Sequence, residues 1–348
     1  MNATIYDIAR EAGVSIATVS RVFNNNDRVT AKTRTKVLSI AKELGYHPRA
    51  QAQSLARQST KIITAIVPII SNYFFMEVLA GMQDELANHD YDLHISNVKT
   101  TEDIYNQVEG IVKRGMSEGI IVISIHFPDD KWNELKPYDI PITLIDEYYS
   151  DFDSVSVDST EGAYNATRFL IQQGYGKIAL ISAAFDSEPV KERLIGYRRA
   201  LEDEGQMVDE ALIVTGRDND RDGFTEKNGY EAMKTILNME EPPDACFCAS
   251  DIQALGALKA MQDMDRSIPI IGFDDLSFSK YLGLTTMRQP MYDMGKLAID
   301  KLIQRLKNNT KELSHTVFSP ELIVRSTTPA ASIAGKATSS GVNKKILT

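Results

Sequence analysis

Short apolar runs alternate with helix-like stretches from Lys61 to Phe273, and this alternation constrains the fold of the chain most strongly. The runs are continuously apolar, as is typical of parallel strands that helices cover on both faces. Alternating strands and helices indicate a doubly wound α/β architecture, and about nine strands over about 260 residues indicate two sheets. The predicted strands are Ile62–Val67, Asp92–Ser96, Gly119–Ile123, Ile142–Ile145, Ile178–Ser182, Leu212–Val214, Ala245–Cys248 and Ile268–Phe273.

The charge is distributed unevenly along the chain. The 348 residues carry a net charge of −10, yet the first 60 hold nine Lys or Arg and four Asp or Glu. This head therefore carries +5 and the remaining 288 residues −15. A basic head on an acidic body indicates that only the head approaches the phosphates of a nucleic acid.

The head contains start and stop signals for three short helices. Thr4 is expected to cap the first helix, and Asp7 three residues later makes a variant of the capping box. Ser15 is expected to cap a second helix that ends near Phe23. Thr30 is expected to cap a third helix that ends at Gly45. The head is therefore predicted to be small and all-α.

Three positions of the head favour a helix-turn-helix. Ala9 is small enough for the second helix to cross over it, Gly13 suits the turn, and Val19 closes the underside of the second helix. A generic amphipathic helical hairpin is the alternative. The agreement of caps, spacing and basic charge favours the DNA-binding interpretation.

Several classes of protein are disfavoured by what the sequence lacks. No basic segment followed by an apolar run opens the chain, and no run of about 18 apolar residues occurs, so we expect neither secretion nor a membrane span. The two cysteines, Cys246 and Cys248, are too close together to frame a disulfide scaffold, which favours a reducing compartment. We therefore expect a cytoplasmic protein.

Enzymatic chemistry also lacks sequence support. No G-x-G-x-x-G follows the first strand, and there is no phosphate-binding loop. The five histidines have no metal-ligand spacing, and we expect the thiols of Cys246 and Cys248 to point to opposite faces of their strand. We therefore predict no metal, no cofactor and no catalytic residues.

The segment from Thr4 to Val22 resembles the opening signature of the LacI/GalR family of bacterial transcription regulators. The resemblance extends nearly to Thr328 and implies two further features: a body similar to periplasmic sugar-binding proteins, with two lobes around a ligand cleft, and assembly as a homodimer. The further matching segments are Val29–Thr30, Thr33–Arg34, Lys36–Val37, Leu44–Pro48, Ala52–Ala56, Ile66–Pro68, Ser71–Phe75, Ile271–Asp275 and Gln289–Gly295.

The resemblance also implies a set of DNA contacts, because the second helix of the family enters the major groove. Ile16, Ala17 and Arg21 match its base-reading positions, and Arg21 can donate two hydrogen bonds to guanine. Ile16 and Ala17 can contact only thymine methyl groups or exclude larger ones. Phosphate contacts, which set register without specificity, are expected at Ser15, Thr18, Ser20, Asn24 and Tyr46.

The linker of residues 48–60 is predicted to be a weak helix that contains Ala52 and Leu55. In the family, the leucine that matches Leu55 inserts between the central base pairs of the minor groove and kinks the DNA. Packing of Leu55 on the body is the alternative. Gln53 departs from the pattern, because many relatives carry arginine there. Two inserted leucines require a dimer and a near-palindromic double-stranded operator.

The family pocket implies an effector site at the carboxyl ends of the strands. Carboxylates and an arginine there favour a polyol, which means a sugar or a sugar derivative. Taken singly, Asp251 can be a helix cap and Phe74 a core residue. Tyr73 departs from the family, where proline is common. The matching positions are Ser71, Asn72, Phe74, Phe75, Asp146, Arg193, Asp251 and Asp274.

These expectations combine into a regulator, most simply a repressor, of carbohydrate-utilisation genes. The predicted domains are a helix-turn-helix head (1–47), a hinge (48–60), an N-terminal lobe (61–160 and 289–318), a C-terminal lobe (161–288 and 319–329) and a disordered tail (330–348).

Two alternatives remain open. The segment Gln289–Gly295 resembles catabolite control regulators, whose corepressor is a serine-phosphorylated carrier protein. Asp300 stands where we expect a phosphate-contacting arginine in that group, and a carboxylate would repel the phosphoprotein. A transport-type sugar-binding protein is disfavoured by the DNA-binding head.

Overall fold

The computed structural model describes residues 3–23, 28–46, 59–68, 73–98, 101–125, 129–183, 188–216, 223–308 and 312–329. Asn24, Ala52, Leu55, Ser71 and Asn72, most of the predicted hinge and the predicted tail lie outside the described residues. Within the part of the chain that is described, no helix is both long and apolar enough to cross a membrane.

The head contains three helices, α1 (Ile5–Ala12), α2 (Ile16–Phe23) and α3 (Ala31–Glu43). The predicted caps are confirmed. Thr4 and Asp7 form a reciprocal capping box, and Thr30 caps α3. Gly13 follows α1 and Gly45 follows α3, and both have the left-handed backbone expected of a glycine after a helix. A small core of Ile8, Ala9, Ala12, Val19, Val22, Val37 and Ala41 fixes the three helices against one another.

The first sheet is built from parallel strands in the order β11-β5-β4-β3-β1-β2. These strands are β1 (Ile62–Val67), β2 (Asp92–Asn97), β3 (Gly119–Ile123), β4 (Ile142–Ile145), β5 (Asp153–Val157) and β11 (His315–Phe318). The helices of this lobe are α4 (Tyr73–Leu86), α5 (Thr101–Lys113), α6 (Asp129–Leu135) and α12 (Met291–Asn308), and a 3-10 turn spans Lys136–Tyr138.

The second sheet has the order β12-β10-β9-β8-β6-β7, with β12 antiparallel to β10 and the other pairs parallel. Its strands are β6 (Ile178–Ser182), β7 (Ile213–Thr215), β8 (Ala245–Cys248), β9 (Ile270–Asp274), β10 (Thr285–Arg288) and β12 (Glu321–Ile323). Its helices are α7 (Ser159–Gln172), α8 (Glu188–Asp203), α9 (Glu226–Leu237), α10 (Asp251–Asp263) and α11 (Ser279–Leu282), and a 3-10 turn spans Glu210–Leu212.

The chain passes between the sheets at three short lobe connections, which are residue 158, residues 289–290 and residues 319–320. Val157 pairs with Phe318 in the first sheet, and Arg288 is opposite Glu321 in the second. This register places the three connections side by side. The main-chain N–H of Asp158 donates to the carbonyl of Phe318 at 2.9 Å, which ties two of them together.

Helices α4 and α12 cross at very short range. A Cβ added to Gly81 would lie 1.9 Å from the carbonyl oxygen of Tyr292, and one added to Gly295 would lie 2.0 Å from that of Val78. Only glycine allows this approach. The contact buries Val78, Met82, Met294 and Ala298 against the first sheet.

One prediction about the strands is wrong. Cys246 and Cys248 both belong to the core on one face of β8, whereas Phe247 belongs to the core on the other face. Residues two apart in a strand point to the same face, so the two thiols share a side. Both thiols are buried and free.

Candidate functional site

The outer face of α2 is available for binding. Ser15, Ile16, Ala17 and Arg21 are exposed, and Val19 and Val22 on the opposite face are buried. Ile16 is 42% exposed, so packing within the head leaves this apolar side chain accessible. The residues matched to base reading therefore project away from the head core.

The residues matched to phosphate contacts also have structural roles. The hydroxyl of Ser15 accepts a hydrogen bond from the N–H of Thr18 at 3.1 Å and lies 2.9 Å from its hydroxyl, so Ser15 caps α2 as predicted. Tyr46 packs on Phe23 with ring centroids 5.6 Å apart, and Ser20 is half-buried. Tyr46 thus closes the end of the head core.

Residues with a left-handed backbone stand at the carboxyl ends of strands, among them Ser124, Asp146 and Asp274. The φ angles are 47° at Ser124 after β3, 57° at Asp146 after β4 and 125° at Asp274 at the end of β9. Such backbones are strained for residues other than glycine and are common at functional sites. The Ser124 hydroxyl donates to Oδ2 of Asp146 at 2.7 Å, which fixes that carboxylate.

A cavity of about 340 Å³ lies between the lobes at these strand ends. It is lined by Asp146, Glu147, Tyr148, Ser156 and Val157 of the first lobe and by Glu188, Pro189 and Glu192 of the second. Among the predicted effector residues that the structure describes, Asp146 is the one that lines this cavity. Burial and the nearby charge of Asp146 raise the pKa of Glu192 to about 7.

Arg193 is buried in the second lobe next to this cavity. Its Nη1 donates to the carbonyl of Ala249 at 2.6 Å, and its guanidinium lies 4.0 Å from the ring centroid of Phe273 and 5.7 Å from that of Phe224. Nε has no hydrogen-bond partner among the described residues. Burial lowers the pKa of Arg193, and the carboxylates of Asp274 and Asp146 oppose this shift.

The charges of two buried carboxylates, Asp274 and Asp251, act on Arg193. Asp274 accepts a hydrogen bond at Oδ1 from Nε2 of Gln289 at 2.6 Å. Burial raises the pKa of Asp274, and the charge of Arg193 opposes the rise. Burial and then the charge of Asp274 raise the pKa of Asp251.

Asp251 is enclosed by its own lobe. Its carboxylate accepts hydrogen bonds from the N–H of Leu276 at 2.9 Å and from the hydroxyls of Ser279 and Thr286. Ser250, rather than Asp251, caps α10, and Asp251 has no exposed surface. In the structure Asp251 holds the turn after β9 and does not open into the cavity.

The aromatic residues matched to the pocket pack into a core rather than standing open to a ligand. Phe75 is 5% exposed in a cluster that joins the first-lobe core to Leu276 of the second lobe, and Phe74 is half-buried against Phe75. Tyr73 meets Phe278 of the second lobe edge to face, with centroids 5.6 Å apart. This pair therefore joins the two lobes.

Sequence reasoning missed several residues of this site, among them Glu192, Phe224 and Gln289. Glu192 precedes a matched arginine, but a surface-like Lys-Glu-Arg run gave no signal of burial. Phe224 precedes α9 and faces Arg193, and Gln289 holds Asp274 across the lobe connection. The motif Gln289–Gly295 could have identified Gln289, whereas Phe224 carried no signal. Within the described residues, no three His, Cys, Asp or Glu side chains are grouped as a metal site needs.

Comparisons with known proteins identify both parts of the chain. Residues 4–49 match the profile of bacterial regulatory proteins of the lacI family, and residues 167–328 match that of a periplasmic binding protein-like domain. Catabolite control protein A of Priestia megaterium is 36% identical over 324 residues, covering 90% of this chain and 96% of that protein.

Two solved structures match the chain over almost its whole length. The lac repressor dimer bound to operator and an anti-inducer is 25% identical, with a TM-score of 0.81, and covers 94% of this chain and 99% of that chain. A complex of the transcriptional regulator CelR with cellobiose is 27% identical, with a TM-score of 0.69, and covers 93% and 99%. The chain, with its helix-turn-helix head and two-lobed body, belongs to the LacI family of bacterial regulatory proteins.

Proposed function

We propose that this protein is a transcriptional repressor of carbohydrate-utilisation genes whose operator affinity is set by a sugar or sugar derivative bound between the lobes. One observation carries the proposal. A basic head that presents the exposed face of α2 is joined to a body with strand-end carboxylates around a 340 Å³ cavity. The relatives support it, because one was solved on operator DNA and another with cellobiose.

The active species is a cytoplasmic homodimer on a near-palindromic operator. The lac repressor relative was solved as a dimer on its operator, which supports two heads on one DNA site. The proposed domain boundaries are those predicted from the sequence, with the first lobe boundary moved from residue 160 to residue 158, where α7 is about to begin. Leu55 of each subunit inserts into the minor groove, and Arg21 reads one base pair in each half-site.

Control of DNA affinity follows from linkage between two sites. Asp146, held by Ser124, belongs to the first lobe, and Arg193 and Asp274 belong to the second, where the charge of Arg193 interacts with both carboxylates. A ligand that contacts both sets binds the closed cleft more tightly than the open one, and so favours one placement of the two heads. The ligand and the operator must change each other's affinity by the same factor.

The proposal is tested by selecting operators from random double-stranded DNA and then titrating the selected site with sugars. We expect a near-palindromic sequence, and we expect one neutral, amino or phosphorylated sugar to change its affinity about 5- to 150-fold. Thermal unfolding gives a second readout, because a ligand at 100 times its Kd adds about 2.7 kcal/mol. The absence of any selected sequence would overturn the DNA-binding part. An operator affinity that no sugar changes would overturn the effector part.

A corepressor protein is the second candidate, since catabolite control protein A is 36% identical. Asp300 is half-buried on α12 and accepts a hydrogen bond from Gln304 at 2.7 Å, so a carboxylate faces the surface where a phosphate would need a cation. We expect no binding of a serine-phosphorylated carrier protein in a pull-down. If the wild-type protein does bind the phosphorylated carrier, and Asp300→Arg leaves that binding unchanged, the result would favour this candidate.

A further inference from the structure

The cavity between the lobes is strongly acidic. Asp146 and Glu147 line it from the first lobe, and Glu188 and Glu192 line it from the second. Its described lining contains no lysine, arginine or histidine. The ammonium of Lys191 lies 3.1 Å from Glu188, on the exposed side of α8. The described lining therefore brings carboxylates of both lobes together.

The charge of Arg193 acts on Asp146 and Glu192 from behind the lining. Its guanidinium is bonded to the carbonyl of Ala249 and lies on the ring of Phe273, and Arg193 is not among the described residues that line the cavity. An anionic group in the cavity would therefore meet carboxylates first. The site is poorly suited to sugar acids and sugar phosphates.

Glu192 and Asp146 form a like-charge pair across the lobes. Glu192 is half-buried and has no hydrogen-bond partner among the described residues, whereas Asp146 is held by Ser124. The charges of Asp146, Asp158 and Glu188 all disfavour ionisation of Glu192, and that of Arg193 favours it. Closing the cleft around a neutral ligand confines these charges where water is scarce, which increases their repulsion.

We propose that the ligand of this cavity is an amino sugar, a polyol with an ammonium group that binds between Asp146 of one lobe and Glu192 of the other. The inference rests on the proposed function and names the chemical class of its effector. The ammonium group converts the repulsion across the cleft into two charge-assisted hydrogen bonds and so favours closure. A neutral sugar of the same shape leaves the two carboxylates opposed.

The test is titration calorimetry on the full chain with matched sugars. Glucosamine, galactosamine and mannosamine are each compared with the parent hexose, its 6-phosphate and its N-acetyl derivative, which keeps the shape without the charge. We expect one amine to bind at least about tenfold more tightly than its three counterparts. This ratio corresponds to about 1.4 kcal/mol of binding free energy. Tris is itself an amino polyol, so HEPES and PIPES serve as buffers.

Two variants and a measurement of proton release on binding test the role of Glu192. The amine preference is expected to fall below about threefold in Glu192→Gln and to persist in Glu240→Gln, an exposed residue before β8. At pH 7 the amine is expected to release part of a proton from the wild type, measured from the difference between the buffers, and none from Glu192→Gln.

Three outcomes would overturn the amino-sugar assignment, and one of them would also overturn sugar control. Tighter binding of a neutral or phosphorylated hexose overturns the amino-sugar assignment and leaves the proposed function standing. A preference that survives in Glu192→Gln also overturns it. If no sugar binds the folded protein while it still binds its operator, both the assignment and sugar control are overturned.

Discussion

The side-chain amide of Gln289 donates a hydrogen bond to Oδ1 of Asp274 at 2.6 Å, and its main-chain N–H donates to the Asp274 carbonyl at 3.2 Å. Gln289 belongs to one of the three lobe connections, whereas Asp274 ends β9 beside Arg193. The carboxylate whose charge acts on Arg193 is therefore held by a residue of a lobe connection.

Replacing Asp274 is expected to uncouple ligand and operator. Asp274→Asn keeps the size and the left-handed backbone but removes the charge opposite Arg193. Operator affinity without ligand should stay within about threefold, and the ligand response of about 5- to 150-fold should disappear. Fluorescence anisotropy of labelled operator measures both quantities.

The matched control is Asp265→Asn, because Asp265 is also a left-handed aspartate but is exposed. It should retain the full response. A full response in Asp274→Asn would exclude Asp274 from the effector mechanism.

Arg21→Ala is expected to reduce base discrimination at one position of each half-site. The loss should be about 1–3 kcal/mol, or about 5- to 150-fold, because a bidentate contact to guanine is removed. Competition with operators mutated one base pair at a time measures it. Lys36→Ala removes an equal charge from the exposed face of α3 and should leave the base preferences unchanged. An identical profile for the two variants would count against base reading by Arg21.

Leu55→Ala is expected to weaken binding to the operator far more than binding to random DNA. Without the inserted side chain, the operator loses its kink and the protein loses the contacts that the kink allows. Nonspecific binding depends on charge, which the substitution does not change. Electrophoretic mobility of bent fragments reports the kink, and competition titration reports the two affinities. Equal losses on operator and random DNA would assign Leu55 to packing.

Glu192 is expected to make stability depend on pH. Its folded-state pKa is raised to about 7 from an ordinary value of 4.5, so the folded protein holds a proton that the unfolded chain has lost. Stability from this group therefore falls as the pH rises between those values. Glu192→Gln should raise the thermal midpoint more at pH 7.5 than at pH 5.0. An equal change at the two pH values would mean that the pKa of Glu192 is not raised.

Gly81→Ala is expected to destabilise the first lobe by about 1–3 kcal/mol, because its Cβ would overlap the carbonyl of Tyr292. Urea unfolding measures the change. Gly176→Ala is the control, since its Cβ would meet only the Asp244 carboxylate at 3.9 Å. Similar midpoints for both variants would show that α4 and α12 can separate freely.

The sequence predicted the fold where local signals and burial coincide. The eight predicted strands correspond to observed ones within about two residues. The strand β5 (Asp-Ser-Val-Ser-Val) is polar at alternate positions and was missed, although it is mostly buried. The strands β11 and β12 lie at sheet edges, are partly exposed and were missed too. Strand β10 was also missed, because Thr285 and Thr286 are buried only through contacts with distant residues.

The site was predictable only in part, for a similar reason. The resemblance identified Asp146, Arg193 and Asp274, which lie at strand ends or next to them. The burial of Glu192 depends on the opposite lobe, and the role of Gln289 depends on a partner 15 residues away in sequence. Such relationships arise from tertiary packing, which no local pattern encodes.

The three lobe connections determine how the body can move. They lie side by side and are one or two residues long, and Pro290 and Pro320 fix one backbone torsion in two of them. Three short connections side by side oppose sliding of one lobe on the other, so rotation about the line that joins them is the relative motion we expect. We therefore expect an effector to act on the heads through the angle at which it holds the two lobes.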